Sequence, residues 1–382
     1  MFFDRKKPLQ RVDYIFILLI FALLTYGFII LRSATLSYGT VKSAGYMRSQ
    51  LISTLLGLIA MFILMFTPPG FIRKFDYLIY ALGIGLLIYT LVGPNTTSQY
   101  GARSWIRIGS GFAFQPSEFV KIMLMISLAS FMDKKKEQLN EPFTLIALII
   151  AALIPVGLIL LQPDNGTAIV LLGIIAVMFF IGGIGLNYIF LAIGILAMII
   201  PVFWMKLDNY AKKRFFTFLN PEADPTGAGM QVYWGRISIG SGELFGRGLF
   251  GGLMNKNNYI PLKHSDFIFT VIGEELGLVG GVILFSLYFL LLYRMIKIAK
   301  GADYYSRVLI SGILAMFLIH IWENIGMTMN LMPVTGIPLP FISHGGTFQI
   351  ANLICMGLIL GIKYYSKVNV DVPGRQLNNL LK

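Results

Sequence analysis

Cysteine is nearly missing: the 382-residue chain has one, Cys355. A single thiol excludes an intrachain disulfide framework and argues against a structural zinc site. It lies inside an apolar run and is read as a packing residue. Charge is scarce too, at 13% of residues against 56% hydrophobic, with a mean hydropathy of +0.75. A soluble domain could not cover so much apolar surface with so few polar groups. The chain also lacks a Walker A loop, a GxGxxG fingerprint after a strand, an HExxH and a CxxC. Nothing therefore points to an ATPase, a redox enzyme or a protease. Acids are the scarcer charge, giving a net +13. In a soluble protein this would suggest nucleic acid. Between apolar runs it follows the positive-inside rule instead, and no nucleic-acid partner is expected.

What is there is a series of apolar runs, at about 14–31, 51–68, 77–93, 116–132, 143–161, 166–184, 187–205, 267–293, 308–328 and 347–365. Runs near 18 residues are long enough to cross a bilayer as helices. The first is too long for a typical signal core and is read as a retained span. With the N-terminus inside, the basic clusters Arg5–Lys7, Arg73–Lys74, Lys134–Lys136, Arg294–Lys300 and Lys363–Lys367 all fall on the cytoplasmic side. The expected fold is an all-α integral membrane protein of about ten transmembrane helices, with both termini cytoplasmic. It forms one polytopic domain, 1–382, with a long extracytoplasmic loop, 206–265, between helices 7 and 8 and a short cytoplasmic tail, 368–382. That loop is basic and glycine-rich (SIGSGELFGRGLFGG). It reads either as a solvated connection or as an electropositive roof over an anionic ligand. No repeat at fixed period and no inverted copy is evident, which counts against a common transporter design.

Ionisable groups within spans are costly and mark functional hypotheses. Glu118 and Lys121 are three residues apart and share a helical face, as substrate groups or as an internal ion pair. Asp164, in LLQPDNGTA, sits in a turn between two helices. Glu323 and Asn324 follow His320 in the ninth run. Asp266 stands at the mouth of the eighth run, with Glu274 and Glu275 further in; capping explains the first acid but not the other two. Arg103 and Arg107 flank Trp105 in an outer connection, and arginine suits phosphate. The segment TGIPLPFISHGG, with Ser343 and His344, is irregular backbone at membrane depth, which is tolerated where it lines a cavity. These features describe an outward polar cavity with a basic roof and an acidic floor. On their own they leave enzyme, lipid transporter and pore open.

The stretches GARSWIRIG, FQPSEFVKI, LLQPDNGTA, NPEADPTGAGMQV, IGSGELFGRGL, DFIFTVIGEELGLVGG and NIGMTMNLMPVTGIPLPFIS together resemble the SEDS family (shape, elongation, division and sporulation), most nearly its elongation members. The resemblance covers about 101–357. It implies a peptidoglycan glycosyltransferase of the bacterial cytoplasmic membrane, active on the outer face, that polymerises lipid II for cell-wall elongation and rod shape. Asp266 is then the general base and undecaprenyl pyrophosphate the leaving group. Arg103, Arg107, Glu118, Lys121, Asp164, Ser343 and His344 become substrate-side residues, and Glu274, Glu275, Glu323 and Asn324 supporting ones. The implied partners are lipid II, membrane lipids and a class B penicillin-binding protein. No metal ligand set is identified, and a divalent cofactor stays open. Two departures stand out: His344 replaces the usual tyrosine of PFISYGG, and QVYWGRISIGSGE replaces QVxQSxIAIGSGG. A lipid II flippase and a scaffold for the transpeptidase are the rival readings.

Overall fold

The computed structural model describes residues 12–93, 96–99, 102–108, 112–206, 212, 216–220 and 229–370. Thirteen helices organise the account: α1 (Tyr14–Leu36), α2 (Thr40–Met65), α3 (Pro69–Arg73), α4 (Asp76–Val92), α5 (Pro116–Lys134), α6 (Pro142–Leu160), α7 (Asn165–Gly182), α8 (Leu186–Lys206), α9 (Met230–Ser241), α10 (Leu253–Lys256), α11 (Ile268–Lys300), α12 (Tyr304–Thr328) and α13 (Gly346–Val370). Each expected apolar run is helical. Among the described residues seven helices are long and apolar enough to cross a membrane: α1, α2, α6, α7, α11, α12 and the Gly346–Ser366 part of α13. Helix α4 is a shorter apolar helix.

Local chemistry sets the boundaries. Asp13 caps α1 by accepting from Phe16 N at 3.1 Å. Pro116 and Pro142 open α5 and α6, where a missing N–H costs nothing. Helix α7 closes on Gly183 at φ +90°, a left-handed cap open to glycine.

The connection before α5 departs from the all-helical expectation. It holds a three-stranded antiparallel sheet, β1 (Thr96–Gln99), β2 (Ala102–Ile108) and β3 (Phe112–Phe114), in the order β1-β2-β3. The ladder pairs Thr97 with Trp105 and Arg107 with Ala113. The expected 206–265 loop contains α9 and α10. Its NPEADPTG portion, 220–227, lies outside the described residues except for Asn220. The basic N-terminal segment and residues 371–382 of the expected tail lie outside them as well.

The bundle interior is built on α12 and α13, whose most apolar windows are 72% and 78% buried. Helix α13 lies against α2 at backbone distance. A Cβ on Gly357 would come within 2.7 Å of Met61 O, and one on Gly361 within 2.7 Å of Leu64 O. Small residues four apart allow this approach where no hydrophobic effect drives helices together. Cys355 is fully buried in the same helix. Helix α11 is broken at Gly277, whose φ of +61° and ψ of −156° are not helical.

Candidate active site

The chain reaches α11 through a tight turn, and that turn is held by α12 and by the segment that leads into α13. The helix cap is Phe267, which makes no side-chain cap bond, so Asp266 stands one residue ahead of the cap position. Three successive carbonyls of this turn accept hydrogen bonds. His344 N donates to His264 O at 2.9 Å, Ser343 Oγ to Ser265 O at 2.6 Å, and Asn324 Nδ2 to Asp266 O at 2.8 Å. Ser343 Oγ also accepts from Leu339 N at 2.8 Å, and Asn324 Nδ2 also donates to Ile337 O at 2.8 Å. The backbone of Asp266 is thus pinned while its side chain stays half-buried. Ser265 Oγ donates to Asp266 Oδ1 at 2.8 Å.

Residues 335–337 are where the candidate groups converge. Gly336 takes φ +78°, and a Cβ there would lie 3.5 Å from Asp266 Oδ2. Thr335 lies beside the Glu323 carboxyl, whose buried Oε2 has no hydrogen-bond partner among the described residues, and Ile337 O is bound by Asn324. A Cβ on Gly166 would meet Thr335 O at 2.8 Å, so the start of α7 abuts the same segment. Asp164 caps that helix by accepting from Thr167 N at 3.1 Å, which is the turn role its sequence suggested. The structure therefore puts Asp164, Glu323, Asn324 and Asp266 around one irregular stretch.

One turn down α12 lies a second polar group. Lys121 Nζ is 2.9 Å from Glu118 Oε2 and 3.2 Å from His320 Nε2. His320 Nδ1 lies 2.7 Å from Met316 O, so the ring donates there and accepts from lysine. Lys121 and His320 are almost wholly buried. His320 and Asn324 are four residues apart, so about 6 Å of helix separates the lysine pair from the Asp266 turn. Sequence reasoning found Glu118 and Lys121 but gave His320 no place beside them. Two spans far apart in sequence bring them together.

Glu274 and Glu275 are placed differently. Glu274 accepts from Met254 N at 2.7 Å, Asn255 N at 3.1 Å and Ser238 Oγ at 3.1 Å. Glu275 accepts from Phe250 N at 2.9 Å, Asn255 Nδ2 at 2.9 Å and Ser33 Oγ at 2.7 Å. Both are fully buried. They fasten the glycine-rich loop to α11 and α1. Lys263 was missed from the sequence: it is buried, donates to Ser37 Oγ at 2.7 Å and to Asn255 O, and lies 5.2 Å from the Tyr38 ring centre. Burial pulls its pKa down to about 8, against the pull of Glu274 and Glu275. Next to it, burial takes His264 down to about 4, with His344 and Lys263 adding to the shift. Its ring lies 4.6 Å from that of Tyr46, and the His344 ring 5.0 Å from the same tyrosine.

Gln115 N and Ala113 O both bond Thr347 Oγ1 at 3.3 Å, which ties the sheet to the start of α13, beside His344. Arg103 and Arg107 are backbone positions of β2 in that sheet; their side chains lie outside the described residues. Among the described residues no three His, Cys, Asp or Glu side chains gather as a metal site.

A helical membrane protein with a pinned aspartate turn at the head of a broken span is the class so defined. The family model described as Cell cycle protein, for FtsW, RodA and SpoVE, matches residues 14–368, and the chain belongs to that family. A protein of Trichlorobacter lovleyi named as a probable peptidoglycan glycosyltransferase FtsW is 34% identical, covering 94% of this chain and 95% of its own. A chain from a peptidoglycan synthase complex, described as coordinating polymerization and crosslinking, superposes with a TM-score of 0.80 at 29% identity, covering 93% of this chain and 98% of that one. The rod shape determining protein RodA of Thermus thermophilus superposes at 0.69 with 28% identity, covering 93% and 97%. The SEDS resemblance is thereby borne out. Its finer form, an elongation rather than a division member, is not separated by these likenesses, because an FtsW-named relative is at least as similar.

Proposed function

We propose that this peptidoglycan glycosyltransferase polymerises lipid II on the outer face of the bacterial cytoplasmic membrane, with Asp266 as general base. The reading is carried by the Asp266 turn, whose three consecutive carbonyls are held by His344, Ser343 and Asn324 while the carboxylate stays half-buried. A sugar hydroxyl is a weak nucleophile until a positioned base takes its proton. Asp266 removes the proton of the acceptor GlcNAc 4-hydroxyl, whose oxygen attacks the anomeric carbon of the donor MurNAc. The bond to undecaprenyl pyrophosphate breaks with inversion, which leaves a β-1,4 linkage. This is transfer to a sugar rather than to water, so carboxylate spacings diagnostic of glycosidases do not govern it.

The other groups take supporting roles. Asn324, Ser343 and His344 position the base. Lys121, set by Glu118 and His320, supplies a buried cation one turn below it. Arg103 and Arg107 meet the pyrophosphate as its negative charge grows. Asp164, which caps α7, and Glu323 stand at the 335–337 wall. The likeness to a chain of a synthase complex supports a class B penicillin-binding protein as partner. We assign the chain to elongation and rod shape on the RodA-like wording of LLQPDNGTA and NPEADPTGAG. The test is glycan synthesis from labelled lipid II by purified protein, with and without the transpeptidase, beside Asp266→Asn. Asp266-dependent glycan supports the reading; glycan undiminished in Asp266→Asn removes the base.

A further inference from the structure

Between α9 and α10 the chain makes a glycine-rich turn, 242–252, with apolar side chains on its outside. Phe245 is 81% exposed and Leu244 58%. An aromatic ring left in water forgoes the gain from burying its apolar area, and exposed apolar side chains mark an interaction surface where they join a larger contiguous patch. The turn is docked into the break in α11. Leu278 N donates to Glu243 O at 2.9 Å, Val279 N to Leu244 O at 3.0 Å, and Arg247 N to Glu274 O at 2.9 Å. The first two satisfy N–H groups of α11, and the third one of its carbonyls, freed where the helix breaks at Gly277, as a helix interrupted within a membrane requires. They also bring Leu244 and Phe245 level with Leu278 and Val279. Those two begin an exposed apolar face of α11 that continues through Val282, Ile283 and Phe285.

The depth of this junction follows from helix length. Arg294 is the first basic residue at the far end of α11. A bilayer core takes about 20 helical residues, and counting back that far from Arg294 arrives at the Glu274–Gly277 stretch. The turn therefore sits at the outer edge of the hydrocarbon, on the side where α11 faces lipid. We propose that the 242–252 turn is a membrane anchor, with Leu244, Phe245 and Leu249 inserted among the acyl chains of the outer leaflet beside Leu278 and Val279. Its occupant is bilayer lipid, because its apolar side chains continue the lipid-facing surface of α11. Through Phe250 N, Met254 N and Asn255, which hold Glu274 and Glu275, and through Lys263 on Asn255 O, the anchor is tied to the turn that carries Asp266.

The inference rests on the proposed membrane orientation, not on polymerisation, and its test needs no substrate. Cys355 is the one cysteine and is buried, so Phe245→Cys offers a single accessible thiol for a nitroxide label. Lys256→Cys, at an exposed position of α10, is the aqueous control. The full chain is reconstituted alone in phosphatidylethanolamine–phosphatidylglycerol vesicles, and collisions with oxygen and with a water-soluble nickel chelate are measured by power saturation. Oxygen should dominate at 245 and nickel at 256, a reversal of the ratio. Nickel dominating at both positions would overturn the proposal, as would protection of 245 from both probes, which would mean protein cover. If Phe245→Cys does not fold, Leu244→Cys gives the same readout. A chain inactive on lipid II that still shows the reversal would leave the anchor standing.

Discussion

Asp266 and the Glu274–Glu275 pair lie within one stretch of chain, and all three are acids at the head of one helix. Their surroundings are opposite. The glutamates are wholly buried, and their oxygens accept from three backbone N–H groups, two serines and an asparagine. Asp266 is half-buried, its carbonyl is held by Asn324, and its Oδ1 accepts from Ser265 Oγ at 2.8 Å. A carboxylate whose lone pairs are all engaged by the fold is an anchor. One that is only half-buried on an immobilised main chain is equipped to exchange a proton. The difference lies in where each acid's hydrogen bonds go.

Substitutions can break that comparison, and the largest effect belongs to the base. Asp266→Asn keeps the shape and removes the basicity, so polymerisation of lipid II should fall by about 10²–10⁴-fold. The melting temperature of the purified protein should be unchanged. Glu275→Ala should do the reverse. It strands the Phe250 N–H, Ser33 and Asn255 donors, each costing about 1–3 kcal/mol when buried without a partner. The readout is loss of folded protein in a thermal melt, with activity per folded molecule kept. Asn324→Ala tests the grip itself. A displaced base costs up to about 10²-fold in rate, so kcat should drop while KM for lipid II holds, and Asn324→Asp should not restore it because the amide donors are gone. A drop in KM-dependent binding with kcat intact would instead make Asn324 a substrate contact.

The smallest effect concerns pH. Lys263 has a folded pKa lowered to about 8 from 10.5 by burial. Between those values the unfolded chain holds the proton that the folded one has released, so stability rises with pH across that window. Below about pH 8 the buried charge is a standing cost. Lys263→Met should flatten the dependence of the melting temperature on pH between 8 and 10. An unaltered slope would place the titration elsewhere.

The helices were legible because a run of apolar residues near bilayer length has one stable outcome in lipid. Glu118 and Lys121 stood out as candidates for the complementary reason, that charge in such a run needs a purpose, and Asp266 because it stands at the mouth of one. Three things were not. The sheet carrying Arg103 and Arg107 is short and lies in a connection, where strand periodicity is too brief to read. His320 joins Lys121 across helices, and no local spacing reports such a contact. The division of labour among the acids depends on Ser33, Ser238 and the 250–255 backbone, which arrive from elsewhere in the chain. Asp164 shows how a local rule can hold inside a functional setting: it is the turn and cap residue its sequence suggested, at the wall of the candidate site.

The most direct test sets the two kinds of acid side by side. Wild-type, Asp266→Asn and Glu275→Ala proteins are purified with the partner transpeptidase. Glycan made from labelled lipid II is measured per folded molecule, with a thermal melt of each. Asp266→Asn should be inert and as stable as wild type, and Glu275→Ala active where folded but less stable. An active Asp266→Asn, or an inert Glu275→Ala that melts normally, would contradict the assignment of base and anchor.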